Sequence, residues 1–130
     1  MSTFRFPLRV YIEDTDAAGI VYYVNYLKFM ERARTEYLRH IGFGHYLHHE
    51  DYLFVVRSAN VRYRQPARMD DELFATATIT RRGKASLEFR QTIERNGELL
   101  CEGELCIACV DQHTLKPRAL PERLTALLPD

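Results

Sequence analysis

Charge of one sign is missing from this chain. Its 18 Lys and Arg balance 18 Asp and Glu, so the formal net charge is zero. That excludes general attraction to nucleic acid or another polyanion, and an anionic ligand must be held by local clusters. Long apolar runs are also missing. The longest, residues 105–110, is far too short to span a membrane as a helix. The opening Met1-Ser-Thr-Phe-Arg-Phe-Pro7 has no basic segment followed by an apolar core. No signal peptide is therefore expected, and the expected location is cytoplasmic. Only three cysteines occur, Cys101, Cys106 and Cys109, and an odd number without a signal peptide favours a reducing compartment. Cys106 and Cys109 spell C-x-x-C, but within a strand-like run, where positions three apart point to opposite faces. They read as small buried hydrophobes. G-x-S-x-G, G-x-G-x-x-G and H-E-x-x-H are absent, which removes the common nucleophile-elbow, dinucleotide and zinc-protease readings. His45, His48, His49 and Glu50 form the only metal-like cluster. Their spacing fits no zinc template, and a solvated turn is the default reading.

What is present describes one folded domain over residues 1–130. Hydrophobic residues make up 46% and charged residues 28%, which excludes a disordered chain. Residues 4–12 alternate, with Phe4, Phe6, Leu8, Val10 and Ile12 on one side, and predict a strand. Tyr26, Phe29, Met30, Ala33, Tyr37 and Ile41 recur at helical spacing, widened by Leu27 and Leu38, and Gly42 is a plausible stop. Four strand-like runs follow, over residues 52–64, 72–81, 84–95 and 98–110. Asn96-Gly97 between the last two is a hairpin signal. Residues 121–128 predict a short helix with Pro121 at its first position. Consecutive strands with short connections should pair antiparallel. One long helix is the only cover for the sheet's apolar face. The expected fold class is α+β: a curved antiparallel sheet wrapped around one central helix. One helix under so wide a sheet leaves an edge or face for a second subunit to close.

The most informative segment is Glu13-Asp-Thr-Asp-Ala-Ala-Gly-Ile-Val-Tyr-Tyr-Val-Asn-Tyr26. It places three carboxylates just before the helix. Two readings stand side by side. Asp and Thr there suit helix capping and favourable interaction with the helix dipole. A carboxylate beside the free N–H groups of a helix start can also do chemistry. The N–H groups can stabilise an oxyanion while the carboxylate attacks or activates water. A second cluster, Arg81, Arg82 and Lys84 around Gly83 with Ser86 after it, reads as an ordinary solvated turn or as a phosphate-binding one. Arg32 and Arg34 read as structural, paired with Glu31, Glu36 or an aspartate.

Asp14-Thr-Asp-Ala-Ala-Gly-Ile-Val-Tyr-Tyr-Val-Asn-Tyr26 with Glu31-Arg-Ala-Arg34 resembles hotdog-fold acyl-CoA thioesterases of the 4-hydroxybenzoyl-CoA thioesterase family. It is especially similar to the bacterial branch associated with the Tol–Pal system. The likeness extends over nearly the whole chain, including Val61-x-Tyr63-x-x-Pro66-Ala67 and Arg82-Gly-Lys-Ala-Ser86. The resemblance implies a hotdog fold and hydrolysis of an acyl-CoA to a carboxylic acid and free CoA. It implies no cofactor beyond the coenzyme A of the substrate, and a homodimer or homotetramer. By the same resemblance Asp16 is the catalytic carboxylate, as nucleophile or general base. The backbone N–H of Tyr23 polarises the thioester carbonyl. Gly19 and Val24 contact substrate, and Arg81, Arg82, Gly83, Lys84 and Ser86 hold CoA. The Tol–Pal branch usually has His where Tyr23 stands, so aryl and aliphatic acyl groups both remain open. Tyr22, Tyr23, Tyr26, Phe54 and Tyr63 are candidate lining for an aryl pocket. A hotdog dehydratase and a non-catalytic acyl-CoA-binding or scaffold protein are the alternatives.

Overall fold

The computed structural model describes residues 3–44 and 51–129. Strand β1 is Phe4–Arg9, helix α1 Asn25–His40, and the strands β2 Tyr52–Tyr63, β3 Glu72–Arg82, β4 Ser86–Arg95 and β5 Glu98–Asp111 follow, with a single turn, α2, at Glu122–Thr125. The five strands form one sheet in the order β1-β3-β4-β5-β2, antiparallel at every pairing. The β3–β4 and β4–β5 connections are hairpins, as expected. Asn96 and Gly97 both take positive φ, +50° and +81°, which a two-residue turn of matching twist requires.

Three expectations are corrected. β2 and β3 are consecutive yet do not pair: β2 crosses to the far edge beside β5, and β1 takes the place beside β3. The cause is the connection over residues 64–71, which is no tight turn. It folds back under the start of α1, where the Val21 N–H donates to the Ala67 carbonyl at 2.8 Å and the Ala67 N–H to the Tyr26 hydroxyl at 3.0 Å. β1 ends at Arg9 rather than Ile12. Val10 exchanges backbone bonds with Asp70 and Asp71, and Ile12 opens a 3-10 turn with 75% of its surface exposed. Pro121 precedes α2 instead of entering it, and the helix is four residues long.

α1 lies in the concave face of the sheet. Tyr26, Phe29, Met30, Ala33, Tyr37 and Leu38 are buried, against Leu73, Ala75, Ala77, Leu87, Phe89, Ile93, Cys101 and Leu105, among others. Small residues let the helix come close: a side chain at Gly103 would begin 3.3 Å from the Met30 sulfur. The charged Arg34 is buried with this face, only 3% exposed. It is structural, as expected, but the partner of its Nη1 is an amide rather than an acid. Arg34 Nη1 donates to Gln91 Oε1 at 2.9 Å. Gln91 Nε2 in turn donates to the carbonyls of Met30, at 2.8 Å, and Thr76, at 3.0 Å. One buried side chain on β4 thus grips both α1 and β3. Glu31 instead accepts from the Thr35 hydroxyl, and Glu36 pairs with Arg39.

The 64–71 connection is pinned by Asp71. Its carboxylate accepts from the Arg68 N–H at 2.8 Å and from Arg95 Nη1 at 2.6 Å, and Arg95 also holds Glu98 at 2.8 Å. Burial pushes the Asp71 carboxyl upward, but the Arg68 N–H and the Arg95 guanidinium outweigh it and hold it below the ordinary 3.8.

Two stability outcomes follow from these contacts. Gln91→Leu keeps the volume but strips the acceptor from a buried guanidinium and the donor from two carbonyls. A loss of about 3 kcal/mol is expected in urea denaturation. A folded-state carboxyl pKa below the unfolded one contributes stability above the unfolded value and loses it as pH falls through the folded value. Wild type should therefore exceed Asp71→Asn by about 1–2 kcal/mol near pH 7, and the gap should close below about pH 4. A gap independent of pH would contradict the ion-pair account.

Candidate active site

The residues before α1 form a small hairpin. Thr15 lies opposite Val21, and Ile20 bridges to Arg68 in the pinned connection. At its tip the Asp16 N–H donates to the Ile20 carbonyl at 2.9 Å and the Gly19 N–H to the Asp16 carbonyl at 3.0 Å. Gly19 has φ +78°, and a side chain there would meet nothing within 4 Å. Glycine is therefore favoured by backbone conformation, not by crowding within the chain.

The three carboxylates separate into distinct roles. Asp14 is engaged: its Oδ2 accepts from the Tyr11 N–H at 2.8 Å. Its carbonyl accepts from the Tyr22 N–H at 3.0 Å and from Asn25 Nδ2 at 2.8 Å. Glu13 faces solvent in the 3-10 turn. Asp16 sits exposed at the hairpin tip, with Oδ1 accepting from the Ala18 N–H at 2.8 Å. No other hydrogen bond reaches its carboxylate among the described residues.

None of the three caps α1. Val24, at the cap position, makes no side-chain capping bond, and the first turn holds no acidic residue. The partial positive charge of the helix start is left uncompensated by its own residues. Two peptide planes just before the helix are held by their carbonyls. The Asn25 N–H donates to the Tyr22 carbonyl at 2.8 Å, and the Tyr63 hydroxyl donates to the Tyr23 carbonyl at 3.1 Å. The N–H groups on the other side of those planes belong to Tyr23 and Val24. Neither donates to an acceptor among the described residues. A helix start in this state binds negative charge well.

Beside these groups lies a cleft of about 230 Å³ lined by Ile20, Val21, Tyr23, Tyr26, Tyr63 and Pro66, among others. The Tyr63 ring meets Tyr23 and Tyr26 edge-on, with centroids 6.0 and 5.5 Å apart. Burial pushes the Tyr63 phenol up, so it remains a donor at neutral pH. Of the five candidate aromatic residues, Tyr23, Tyr26 and Tyr63 line this cleft. Tyr22 is exposed, turned against Tyr23 at 5.1 Å. Phe54 is buried elsewhere, against Phe43 and Tyr52. The hold of Tyr63 on the Tyr23 carbonyl was not anticipated. The Val61-x-Tyr63 signal marked the residue, but nothing in strand periodicity tells what a hydroxyl will reach.

The basic turn stands apart from this site. The Gly83 N–H donates to the Ser86 carbonyl at 2.8 Å, and a side chain at Gly83 would come within 2.9 Å of the Ser86 hydroxyl. Arg81 is mostly exposed, with Glu88 at 3.8 Å. Arg82 donates to the Thr125 carbonyl at 3.1 Å, so it is tied to α2 in this structure. Lys84 is exposed. Arg81, Gly83 and Ser86 share a depression of about 330 Å³ with Arg57, Ser58 and Cys106, among others; Arg57 is a cation the sequence reading did not single out. On β4 the turn begins at Ser86, whereas Tyr63 lies in the row of Cys101 and Ile93. Seven residues of strand separate the rows, about 23 Å at ~3.3 Å each. A single chain does not bring the basic turn to Asp16.

Cys101, Cys106 and Cys109 are free. Burial pushes the Cys101 thiol up to about 12, which suits a packing role. The residues 45–50, with the histidine cluster, lie outside the described residues. Among the described residues no helix is long and apolar enough to cross a membrane.

Comparison with known proteins gives a consistent answer. Residues 18–102 match the family model of the thioesterase superfamily. The acyl-CoA thioester hydrolase YbgC of Escherichia coli O6:H1 is 49% identical over 125 residues, 95% of this chain and 93% of the relative. The acyl-CoA thioesterase YbgC of Haemophilus influenzae is 41% identical over 95% of this chain and 92% of its own. The crystal structure of a probable thioesterase from Bartonella henselae superposes with a TM-score of 0.85 at 34% identity, covering 92% of this chain and all of that one. A five-stranded antiparallel sheet curved around one helix, with the family signature at the helix start, places the chain in the thioesterase superfamily of hotdog fold.

Proposed function

We propose that this chain hydrolyses acyl-CoA thioesters, with Asp16 as the reacting carboxylate and the Tyr23 N–H as the oxyanion donor. The observation that carries this reading is the pairing of an exposed carboxylate at a glycine turn with an uncapped helix start, beside an apolar cleft. The acyl-CoA thioesterase activity of the YbgC relatives supports the substrate class. In the reaction, Asp16 either attacks the thioester carbonyl or takes a proton from the water that does. On both routes the carbonyl oxygen gains negative charge, which the Tyr23 N–H meets. The carbonyl then re-forms, the carbon–sulfur bond breaks, and the CoA thiolate leaves and takes up a proton. On the attack route water then hydrolyses the aspartyl anhydride. Water is the only other reactant, so no cofactor is needed. Val24 and Gly19 lie beside the reacting carbonyl.

The working unit in this reading is a pair of chains. β2 pairs with β5 on one side, and its other edge carries no strand among the described residues. Val55 and Val56 on β2 are 40% and 54% exposed. A second copy pairing there antiparallel about a two-fold axis at Asn60 would set its Arg57 opposite the first copy's Tyr63. The basic depression of one chain would then adjoin the Asp16 turn of the other. CoA phosphates are held there by Arg57, Arg81, Lys84 and the 82–86 turn. The dehydratase alternative gains no support. His40 packs on Phe4, with ring centroids 5.3 Å apart, at the opposite end of α1 from the cleft.

Asp16→Asn should lower thiol release across benzoyl, phenylacetyl, short-chain and long-chain CoA esters by about a hundredfold or more. Near-wild-type turnover would show that another group does the chemistry. Binding of the esters by calorimetry without thiol release from wild type would favour a non-catalytic binder. For the paired unit, Asp16→Asn and Arg81→Ala chains are co-refolded. Mixed dimers hold one intact site each, so about a quarter of all sites should recover. No recovery above the sum of the separate variants would place both groups in one chain's site or in none.

A further inference from the structure

We infer that Tyr63 is a positioning residue for the oxyanion turn, and that it makes the Val24 N–H a second donor beside that of Tyr23. The inference rests on the thioesterase reading and deepens it. The Tyr63 hydroxyl donates to the Tyr23 carbonyl at 3.1 Å. That carbonyl and the Val24 N–H belong to one planar peptide unit and point in opposite directions. Holding the oxygen therefore aims the N–H. The preceding plane is fixed in the same way, by the Asn25 N–H on the Tyr22 carbonyl at 2.8 Å. Tyr23 is thus clamped on both sides of its Cα, and the two N–H groups cannot swivel independently.

The bond also has an electronic effect. A donor on a carbonyl draws charge from it and leaves the N–H of the same peptide more positive, because hydrogen bonds in series polarise one another. The Tyr63 ring is held for the task by edge-on contacts with Tyr23 and Tyr26, and Tyr26 is itself fixed by the Ala67 N–H. Because Tyr63 ends β2, the edge strand reports its position directly to the site.

Tyr63→Phe removes the hydroxyl and keeps the ring. The expected result is a kcat about three- to tenfold lower, the worth of one hydrogen bond, with KM within about twofold. In the nitrogen-15 amide spectrum, the Val24 resonance should move upfield and that of Ala33, in the middle of α1, should stay. Tyr63→4-aminophenylalanine, which restores a donor on the ring, should recover most of the kcat. The inference is overturned by an unchanged kcat, by a change confined to KM, by a stationary Val24 resonance, or by a 4-aminophenylalanine variant no better than phenylalanine. If wild type releases no thiol from any ester, the hydrolase reading fails. The Val24 resonance then decides the clamp by itself.

Discussion

The position of α1 in the cup of the sheet governs everything else described here, and Gln91 is the contact that sets it. Apolar packing along a helix is tolerant, since rows of Leu, Phe and Met can slide against a sheet at small cost. A buried amide is not tolerant. Gln91 bonds the Met30 carbonyl on the helix, the Thr76 carbonyl on β3 and the Arg34 guanidinium. Any shift of α1 along its axis breaks bonds that solvent cannot replace, because Gln91 is fully buried. The helix start is therefore delivered to one place. There the hairpin of residues 15–21 and the 64–71 connection, tied to each other by the Ile20–Arg68 bridge, complete the site.

The site itself is mostly backbone. In the proposed reaction, the groups that meet the thioester carbonyl, apart from the Asp16 carboxylate, are peptide N–H groups. Their orientation comes from the peptide planes of Tyr22 and Tyr23 rather than from side-chain identity. Such donors carry no net charge and need no reorganisation when charge develops. In the proposed reading the same economy lets a chain with no net charge handle a polyanionic ester. The attraction there comes from the depression near Arg57 and Arg81, while elsewhere on the outer sheet face Arg90 and Arg64 pair with Glu102.

Local features of the fold were legible in the sequence. The helix, the hairpin at Asn96 and Gly97 and the alternation of β4 are set by residues close in the chain. The β2 crossover was not legible, because pairing between distant strands depends on where the 64–71 connection packs, and that is settled by Ala67 meeting Val21 and Tyr26. Arg34 was marked as structural, but its amide partner was invisible: Gln91 sits among Leu87, Phe89 and Ile93 on the buried face of β4, where alternation alone predicts only an apolar stripe. In the site, the motif marked Asp16, Gly19 and Tyr23. The resemblance named Asp16 among three neighbouring carboxylates. It did not show that the Asp14 carboxylate is turned back to the Tyr11 N–H. Nor did it show that Arg82 is turned toward α2, while Arg57 joins Arg81 from a different strand.

The separation of the apolar cleft from the basic depression has an evolutionary meaning. The cleft is written in residues 20–26 and 63–66, and the depression in residues 57–58 and 81–88, whose nearer row, Ser58 and Glu88 beside Cys106, lies five residues or about 17 Å from the Tyr63 row along the same sheet. They share no side chain. Substitutions that reshape one leave the packing of the other within the same chain untouched. In the proposed reading the acyl group accepted and the grip on its carrier can therefore drift as separate traits, and a few aromatic changes at one end of the sheet exchange one substrate for another while the proposed carrier-binding end is inherited intact.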